Sequence, residues 1–257
     1  MQTTKQWIEE WGYEVIYGDT DSTFVKLDDD LNSLNCNEIG TVLARKINKR
    51  WQRVLQQDYR IDSFLEIEYE THYSPFFMPT IRGKTTGSKK RYVGKVEKDD
   101  TSKLVFKGME TVRSDWTELA HKFQIELFEI LFSENYSQEL IIQAFDRYVK
   151  KLYAGEFDSL LVYRKRLGRH LADYQKNIPP HAKAAKQYLA ENPHFAFQRG
   201  QIIEYVYTTQ GVEYYMGKHN YDYLVYVNKQ LLPIVRVIVN DLVCNNPFQP
   251  NGQIILI

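Results

Sequence analysis

Ile16-Tyr17-Gly18-Asp19-Thr20-Asp21-Ser22 is an apolar run that breaks at a glycine and delivers two carboxylates one residue apart. Tyr13 to Tyr17 leads in and Thr23-Phe24-Val25-Lys26-Leu27 leads out, both with strand character. The stretch predicts a β-hairpin with acids at its tip, Gly18 freeing the backbone at the turn. Carboxylates at a strand tip suit Mg²⁺ held against a phosphate. Asp and Thr are also common in turns for local hydrogen-bonding reasons alone.

The rest of the 257-residue chain bounds the answer. Lys+Arg and Asp+Glu number 33 each, so an evenly basic coat for nucleic acid is excluded and any charge signal must be local. No stretch approaches the length of a membrane-spanning helix, and no signal peptide opens the chain. Cys36 and Cys244 lack metal-ligand spacing and the six histidines form no cluster, which argues against zinc and a disulfide framework and fits a reducing cytoplasm. The 19 tyrosines suit either cores or surfaces that are part apolar and part polar.

Residues 2–12 read as the end of a helix, which suggests that sequence precedes it. After the hairpin, Ile39, Val42, Leu43, Ile47, Trp51, Val54 and Leu55 recur at helical spacing over about 37–57. Phe64 to Glu70 alternates apolar and acidic residues, the pattern of a half-buried strand. Its three glutamates repel unless water, Lys, Arg or a metal faces them. Further strands are expected at 76–81, 89–96 and 103–106. From Arg82 to Lys107 there are nine Lys/Arg against three Asp/Glu. Helical stripes follow at 116–132 and 138–153, the second ended by Gly155. A second basic cluster, Tyr163 to Lys186, holds seven Lys/Arg and one Asp. A Lys/Ala-rich helix after Pro180, a strand at 202–208, a closing helix at 222–243 and a loose tail complete the reading.

An acidic hairpin, a basic strand and a basic helical half fit one task. Carboxylates can bridge two Mg²⁺ ions roughly 3.5–4 Å apart for phosphoryl transfer, while Lys and Arg neutralise the phosphates of a duplex. Here the sequence resembles a known family. Tyr17 to Ser22 is similar to the third conserved motif of family B DNA polymerases, and Lys89-Lys90-Arg91-Tyr92 to their lysine–tyrosine motif. Lys107-Gly108-Met109-Glu110-Thr111-Val112-Arg113-Ser114-Asp115-Trp116 resembles the palm-to-thumb junction. Asp173-Tyr174, Pro180-His181, Ala184-Ala185, Gly200 to Tyr207 and Tyr221 to Pro233 resemble thumb motifs in family order. The likeness runs through essentially the whole chain and is nearest to bacterial members.

The resemblance implies an α+β fold: part of an antiparallel-sheet palm over 1–110, then a mainly helical thumb over 111–257 with a flexible tail. It implies Asp21 as a ligand to both Mg²⁺ ions, Asp19 as a supporting acid and Glu68 as a third acid near the metals. Lys90 and Tyr92 are implied at the primer end of the duplex. Lys89, Arg91, Lys107, Arg113, Arg164, Lys165, Arg166 and Arg169 are implied along the DNA backbones. For each of these cations a solvated surface charge is the alternative. Primer-template DNA and dNTPs are the implied partners, in a bacterial cytoplasm at the nucleoid. Gly252 to Ile257 resembles a sliding-clamp-binding peptide, with Gln253, Leu256 and Ile257 as anchors; a frayed apolar tail is the alternative. The family's first motif, which supplies the other bridging Asp, and its second motif, with the triphosphate-binding Lys, are absent. The expectation is therefore a fragment that does not polymerise by itself. Two other readings stay open: a duplex-DNA-binding module without catalysis, and a sugar-nucleotide transferase using the Asp-x-Asp.

Overall fold

Trp7 and Ile8 anchor the first helix, α1 (Gln2–Glu10), which buries them with Thr4. The Trp7 ring lies 4.8 Å from that of Trp51, with the Arg50 guanidinium 4.6 Å over its face, a cation–π contact. The computed structural model describes residues 1–19, 22–28, 31–79, 90–98, 101–243 and 253–256. They fall into two units, Met1–Gly108 with Asp241–Ile257, and Met109–Asn240.

In the first unit the expected hairpin is present as β1 (Glu14–Asp19) and β2 (Ser22–Leu27), antiparallel, with Asp19 opposite Ser22. The ladder slips between Val15 and Tyr17, so Ile16 is the extra residue of a bulge, which sharpens local twist. Gly18 is not at the turn. It sits inside β1 opposite Thr23, and its missing Cβ leaves room for Met1, whose sulfur would lie 3.3 Å from that carbon.

Helix α2 (Ser33–Val54) starts four residues earlier than its apolar spacing suggests. The Asn32 side chain caps it by accepting the Asn35 N–H at 2.9 Å. Cys36, Leu43, Ala44 and Ile47 pack on Ile8, Val15, Val25 and Leu27 in one core. A π turn, Leu55–Tyr59, ends the helix at Arg60 in the left-handed region, φ 55°.

The expected strand at 64–70 is not formed; residues 60–70 belong to no ladder. Asn48 of α2 stands in for a neighbouring strand. Its Oδ1 accepts the Ile67 N–H and its Nδ2 donates to the Ile67 carbonyl, both at 2.8 Å. The alternation persists because Ile67 and Tyr69 turn to the core while Glu66 and Glu68 line a groove of about 740 Å³ with Arg45 and Lys49 of α2. Basic neighbours therefore answer the repulsion within the acidic row.

Strand pairing resumes at β3 (Thr71–Tyr73), then β4 (Phe76–Phe77), β5 (Tyr92–Lys98) and β6 (Thr101–Lys107). The last three form an antiparallel sheet in the order β4-β5-β6. An aromatic core of Phe24, Tyr73, Phe76 and Tyr92 with Met78 joins the hairpin to it. Gly94 makes this possible: a Cβ there would lie 2.3 Å from the Tyr73 ring.

In the second unit α3 (Glu118–Leu131) buries Leu119, Ala120, Phe123, Leu127, Phe128 and Leu131. It packs against α4 (Gln138–Tyr153), where the Phe123 and Tyr148 rings lie 4.7 Å apart. The unit is not all helix beyond the expected strand at 202–208. β7 (Tyr163–Arg166), β8 (Ile202–Thr208) and β9 (Gly211–Tyr214) make an antiparallel sheet. Helix α5 (Pro180–Glu191), with Pro180 in its first turn, covers it through Ala182, Ala185, Phe197 and Ile203. The closing helix comes in three parts: α6 (Tyr223–Tyr226), a π turn (Val227–Leu231) and α7 (Leu232–Val243). Pro233 explains the break, because it has no N–H for a regular helical bond and its ring crowds the preceding turn. In the turn, Gln230 Oε1 accepts both the N–H and the hydroxyl of Thr117, at 3.0 and 2.8 Å, in a fully buried contact.

Finally β10 (Gln253–Leu256) lies in the sheet of the first unit, in the order β1-β2-β10-β3. The tail expected to hang free from the second domain is a strand of the first unit, held by ladders on both sides. Overall the class is α+β, as the sequence predicts, with three antiparallel sheets.

Candidate nucleic-acid interface

The hairpin places Asp19 at the end of β1, its backbone paired with Ser22, so residues 20 and 21 make the turn between them. Asp21 itself lies outside the described residues, as does Lys89. Glu68, expected near the metals, is exposed on the groove against α2 with Arg45 and Lys49 as its neighbours. Among the described residues no group of three His, Cys, Asp or Glu could hold a metal ion. The carboxylates present fit half of a two-metal set and no more.

The basic strand is tied to the hairpin through its backbone. Lys90 N–H donates to the Tyr17 hydroxyl at 3.1 Å. Lys90 is exposed and left-handed at φ 65°. A close approach fixes it there: a Cβ on Gly108, itself at φ +59°, would lie 2.0 Å from the Lys90 carbonyl oxygen. Lys107 is exposed at the end of β6, opposite Tyr92. Arg91 is half-buried. Tyr92 departs from its expected role as a groove contact. It is 7% exposed, its ring lies 5.1 Å from Phe24 and 5.4 Å from Phe76, and burial raises its pKa. An aromatic ring at the first position of a half-covered strand turns to the apolar side, leaving Lys90 and Lys107 at the surface.

In the second unit the basic cluster is strand β7. Tyr163 turns inward and stacks on Tyr205 at 5.2 Å, while Arg164, Lys165 and Arg166 are exposed. They line a pocket of about 400 Å³ with Ser114, Trp116 and His121. Not every expected cation there is available. Arg113 is locked in a two-point pair with Asp115, Nε to Oδ1 at 3.0 Å and Nη2 to Oδ2 at 2.8 Å. That pairing raises the Arg113 pKa and holds the Asp115 carboxyl below its usual range. Its backbone carbonyl meets the His121 ring nitrogen at 3.2 Å. Arg113 thus shapes the pocket wall. Arg164 pairs across the ladder with Glu204 at 2.8 Å. Arg169 lies 4.4 Å over the Tyr174 ring, whose hydroxyl accepts the Gly168 N–H at 3.1 Å. The exposed cations of β7 that remain are Lys165 and Arg166. Gln253 and Leu256 begin and end β10, and Ile257 lies outside the described residues.

Sequence reasoning did not single out Tyr17 as the link to the basic strand, Asp115 as the partner of Arg113, or Asn48. The Arg-x-Asp spacing at 113–115 was a readable signal; the other two contacts are long-range and left none.

An acid-tipped hairpin beside a basic strand, with a basic sheet in a second unit, defines a protein of polyanion chemistry. A solved family B DNA polymerase from the archaeon Pyrobaculum calidifontis has a similar fold, with TM-score 0.53 and 23% identity over 92% of this chain and 28% of that one. The family model for DNA polymerase family B matches residues 1–240, and the chain belongs to that family. It is 44% identical to DNA polymerase II of Escherichia coli over 99% of its own length and 32% of that protein's. It is 32% identical to DNA polymerase 2 of Aeropyrum pernix over 87% of this chain and 25% of that one. The chain therefore spans about a third or less of these relatives. No helix among the described residues is long and apolar enough to cross a membrane.

Proposed function

We propose that this chain is the C-terminal part of a DNA-directed DNA polymerase, with Met1–Gly108 and Asp241–Ile257 as part of its palm and Met109–Asn240 as its thumb. The observation that carries the reading is the direct bond from the lysine–tyrosine strand to the acidic hairpin, Lys90 N–H to Tyr17, within a chain matched to the family over 1–240. In the whole protein a primer 3′-hydroxyl attacks the α-phosphate of a dNTP and pyrophosphate leaves.

The residues here have defined parts in that reaction. Asp21, with Asp19 in support, offers carboxylate oxygens for Mg²⁺. When bound, the ion supplies charge stabilisation at the phosphate and a more acidic hydroxyl. Lys90 and Lys107 present cations beside the hairpin, and Lys165 and Arg166 hold backbone phosphates in the second unit. The other bridging carboxylate comes from the part of the enzyme outside these residues, so this chain alone does not polymerise.

Primer extension by the full-length polymerase tests the reading. Asp21→Ala is expected to lower extension by at least about a thousandfold, on the scale of losing a group that acts on transition-state charge, while duplex binding stays within a few-fold. Wild-type extension by Asp21→Ala would refute the metal role, and loss of duplex binding without loss of chemistry would favour the non-catalytic DNA-binding alternative. The clamp-binding reading of the tail has one condition: residues 253–256 cannot pair in the sheet and seat in another protein at once. Deleting 253–257 is expected to abolish capture by the clamp in a pull-down, and unchanged capture rejects it.

A further inference from the structure

The four-stranded sheet of the first unit has an unusual way of filling its middle. β2 and β3 are both antiparallel to β10 and hence parallel to each other. They are joined through α2, the split β-α-β arrangement that leaves one strand's width between its strands. Two inward-facing ladder edges, 4.7–4.9 Å from any neighbour in an ordinary sheet, therefore define a lane for one strand. Its walls are apolar: Phe24, Val25 and Leu27 on β2 are 2%, 0% and 3% exposed, and Tyr73 on β3 is 3% exposed. Unfilled, the lane would leave rows of backbone donors and acceptors without partners in a buried place.

The strand that fills it is distant in sequence. Between Leu27 and Gln253 the chain passes through the whole second unit. β10 is attached at one end only through 244–252, and it contributes four residues, Gln253 to Leu256. Its register sets Leu256 opposite Phe24. An occupant continuing in that register would come opposite Ser22, at the hairpin tip, two residues further on. β10 as described stops short of that point.

We propose that the lane between β2 and β3 is a strand-exchange site. The tail fills it in this chain. In the assembled polymerase an apolar strand from the part of the protein outside these 257 residues takes it, running as β10 runs and reaching the hairpin tip, and the tail is released. This rests on the reading of the chain as one part of a polymerase. That reading supplies the occupant: the chain spans 32% of its E. coli relative, and the hairpin's acids need a partner carboxylate delivered to the tip. Donation of a strand between two exposed ladder edges is a known mode of recognition, in which main-chain bonds give affinity and apolar pockets give selectivity.

Hydrogen exchange and peptide binding test it without DNA, metal or nucleotide, so failure here is separable from failure of the polymerase reading, which primer extension decides. The probe is a fluorescent synthetic peptide with the sequence of residues 251–257. In the chain lacking 253–257, amides of 24–27 and 71–73 are expected to lose protection at least tenfold and to regain it when the peptide binds one to one. The intact chain should take the peptide at least tenfold more weakly, because its own tethered strand competes. Ile255→Pro keeps every other residue but removes a ladder donor mid-strand, and should behave as the deletion does. Equal peptide binding by intact and shortened chains would overturn the proposal. So would loss of structure in both variants that the peptide does not restore, which makes β10 a permanent strand. In full-length polymerase, amides of 253–256 should exchange as free peptide while those of 24–27 stay protected; protection at 253–256 there would also overturn it. A mass that doubles with concentration in light scattering of the intact chain, with the tail exchanged between copies, would assign the lane to a second copy and reject the proposed occupant.

Discussion

Replacing Asn48 with alanine removes both hydrogen bonds that hold the extended segment 60–70 to α2. Each is 2.8 Å long and made to a peptide group of Ile67. Hydrogen bonds of this kind contribute about 0.5–1.5 kcal/mol net, so the pair contributes about 1–3 kcal/mol. Alanine in a helix interior returns about 0.6 kcal/mol of propensity relative to asparagine. The net loss is about 0.5–2.5 kcal/mol. Urea unfolding followed by circular dichroism gives the global value, and hydrogen exchange at Ile67 gives the local one. The amides of 65–69 should lose protection while those of α3 and α4 do not. Gln52→Ala is the control, on the same helix and lining the same groove, and should change stability by less than about 0.4 kcal/mol. An Asn48→Ala chain as stable as the parent, with Ile67 still protected, would refute the idea that this one side chain substitutes for a strand.

Three further outcomes are expected. Gly108→Ala should cost more than about 2 kcal/mol in chemical denaturation, since the residue sits at φ +59° and the new carbon would meet the Lys90 carbonyl at 2.0 Å; a smaller loss would mean that the turn at Lys90 gives way. Asp115→Asn should lower stability at neutral pH by less than about 1 kcal/mol, the pair being surface-exposed. Because Asp115 is depressed in the folded chain, its contribution is present above the ordinary carboxylate pKa and fades as pH falls through the lower folded value, so parent and variant should converge in acid denaturation curves. Tyr69 and Tyr221, both pushed up to about 12 mainly by burial, stabilise the fold below the ordinary tyrosine pKa of about 10 and lose that contribution as pH rises through 12. An ultraviolet titration with Phe substitutions at each position should show their steps missing from that upper range, and ordinary titration near 10 would contradict the burial.

Local signals carried much of the architecture. The apolar stripe of 138–153 and the strand at 202–208 formed with the boundaries their spacing suggests, because each buries one face along its whole length. The run 64–70 has the alternation of a strand and lacks the ladder, since period two reports which side chains face the core, not what the backbone bonds to. β7 was hidden for the opposite reason. Arg164, Lys165 and Arg166 offer no alternation, and only Tyr163 turns inward. Its strand state comes from β8, whose Ile203, Tyr205 and Val206 are buried. β10 depends on partners more than 180 residues away in the chain, which no local pattern encodes. At the site, the sequence indicated which residues carry charge but not which charges are already engaged. The pairs Arg113–Asp115 and Arg164–Glu204 and the burial of Tyr92 are products of packing.

The bond between Gln230 and Thr117 bears on how the chain is made. It joins the N-terminal cap of α3 to a residue 113 positions later, with both partners buried. On a ribosome adding about 5–20 residues each second, the acceptor arrives roughly 6–23 s after the donor. Until then the cap of α3 has water as its partner, and the apolar face of α3 has lost the helix that should close over it. Unit Met109–Asn240 can therefore reach its final packing only once nearly all of it has been synthesised. Its nascent helices are the stretch of this polypeptide most in need of shelter while they wait.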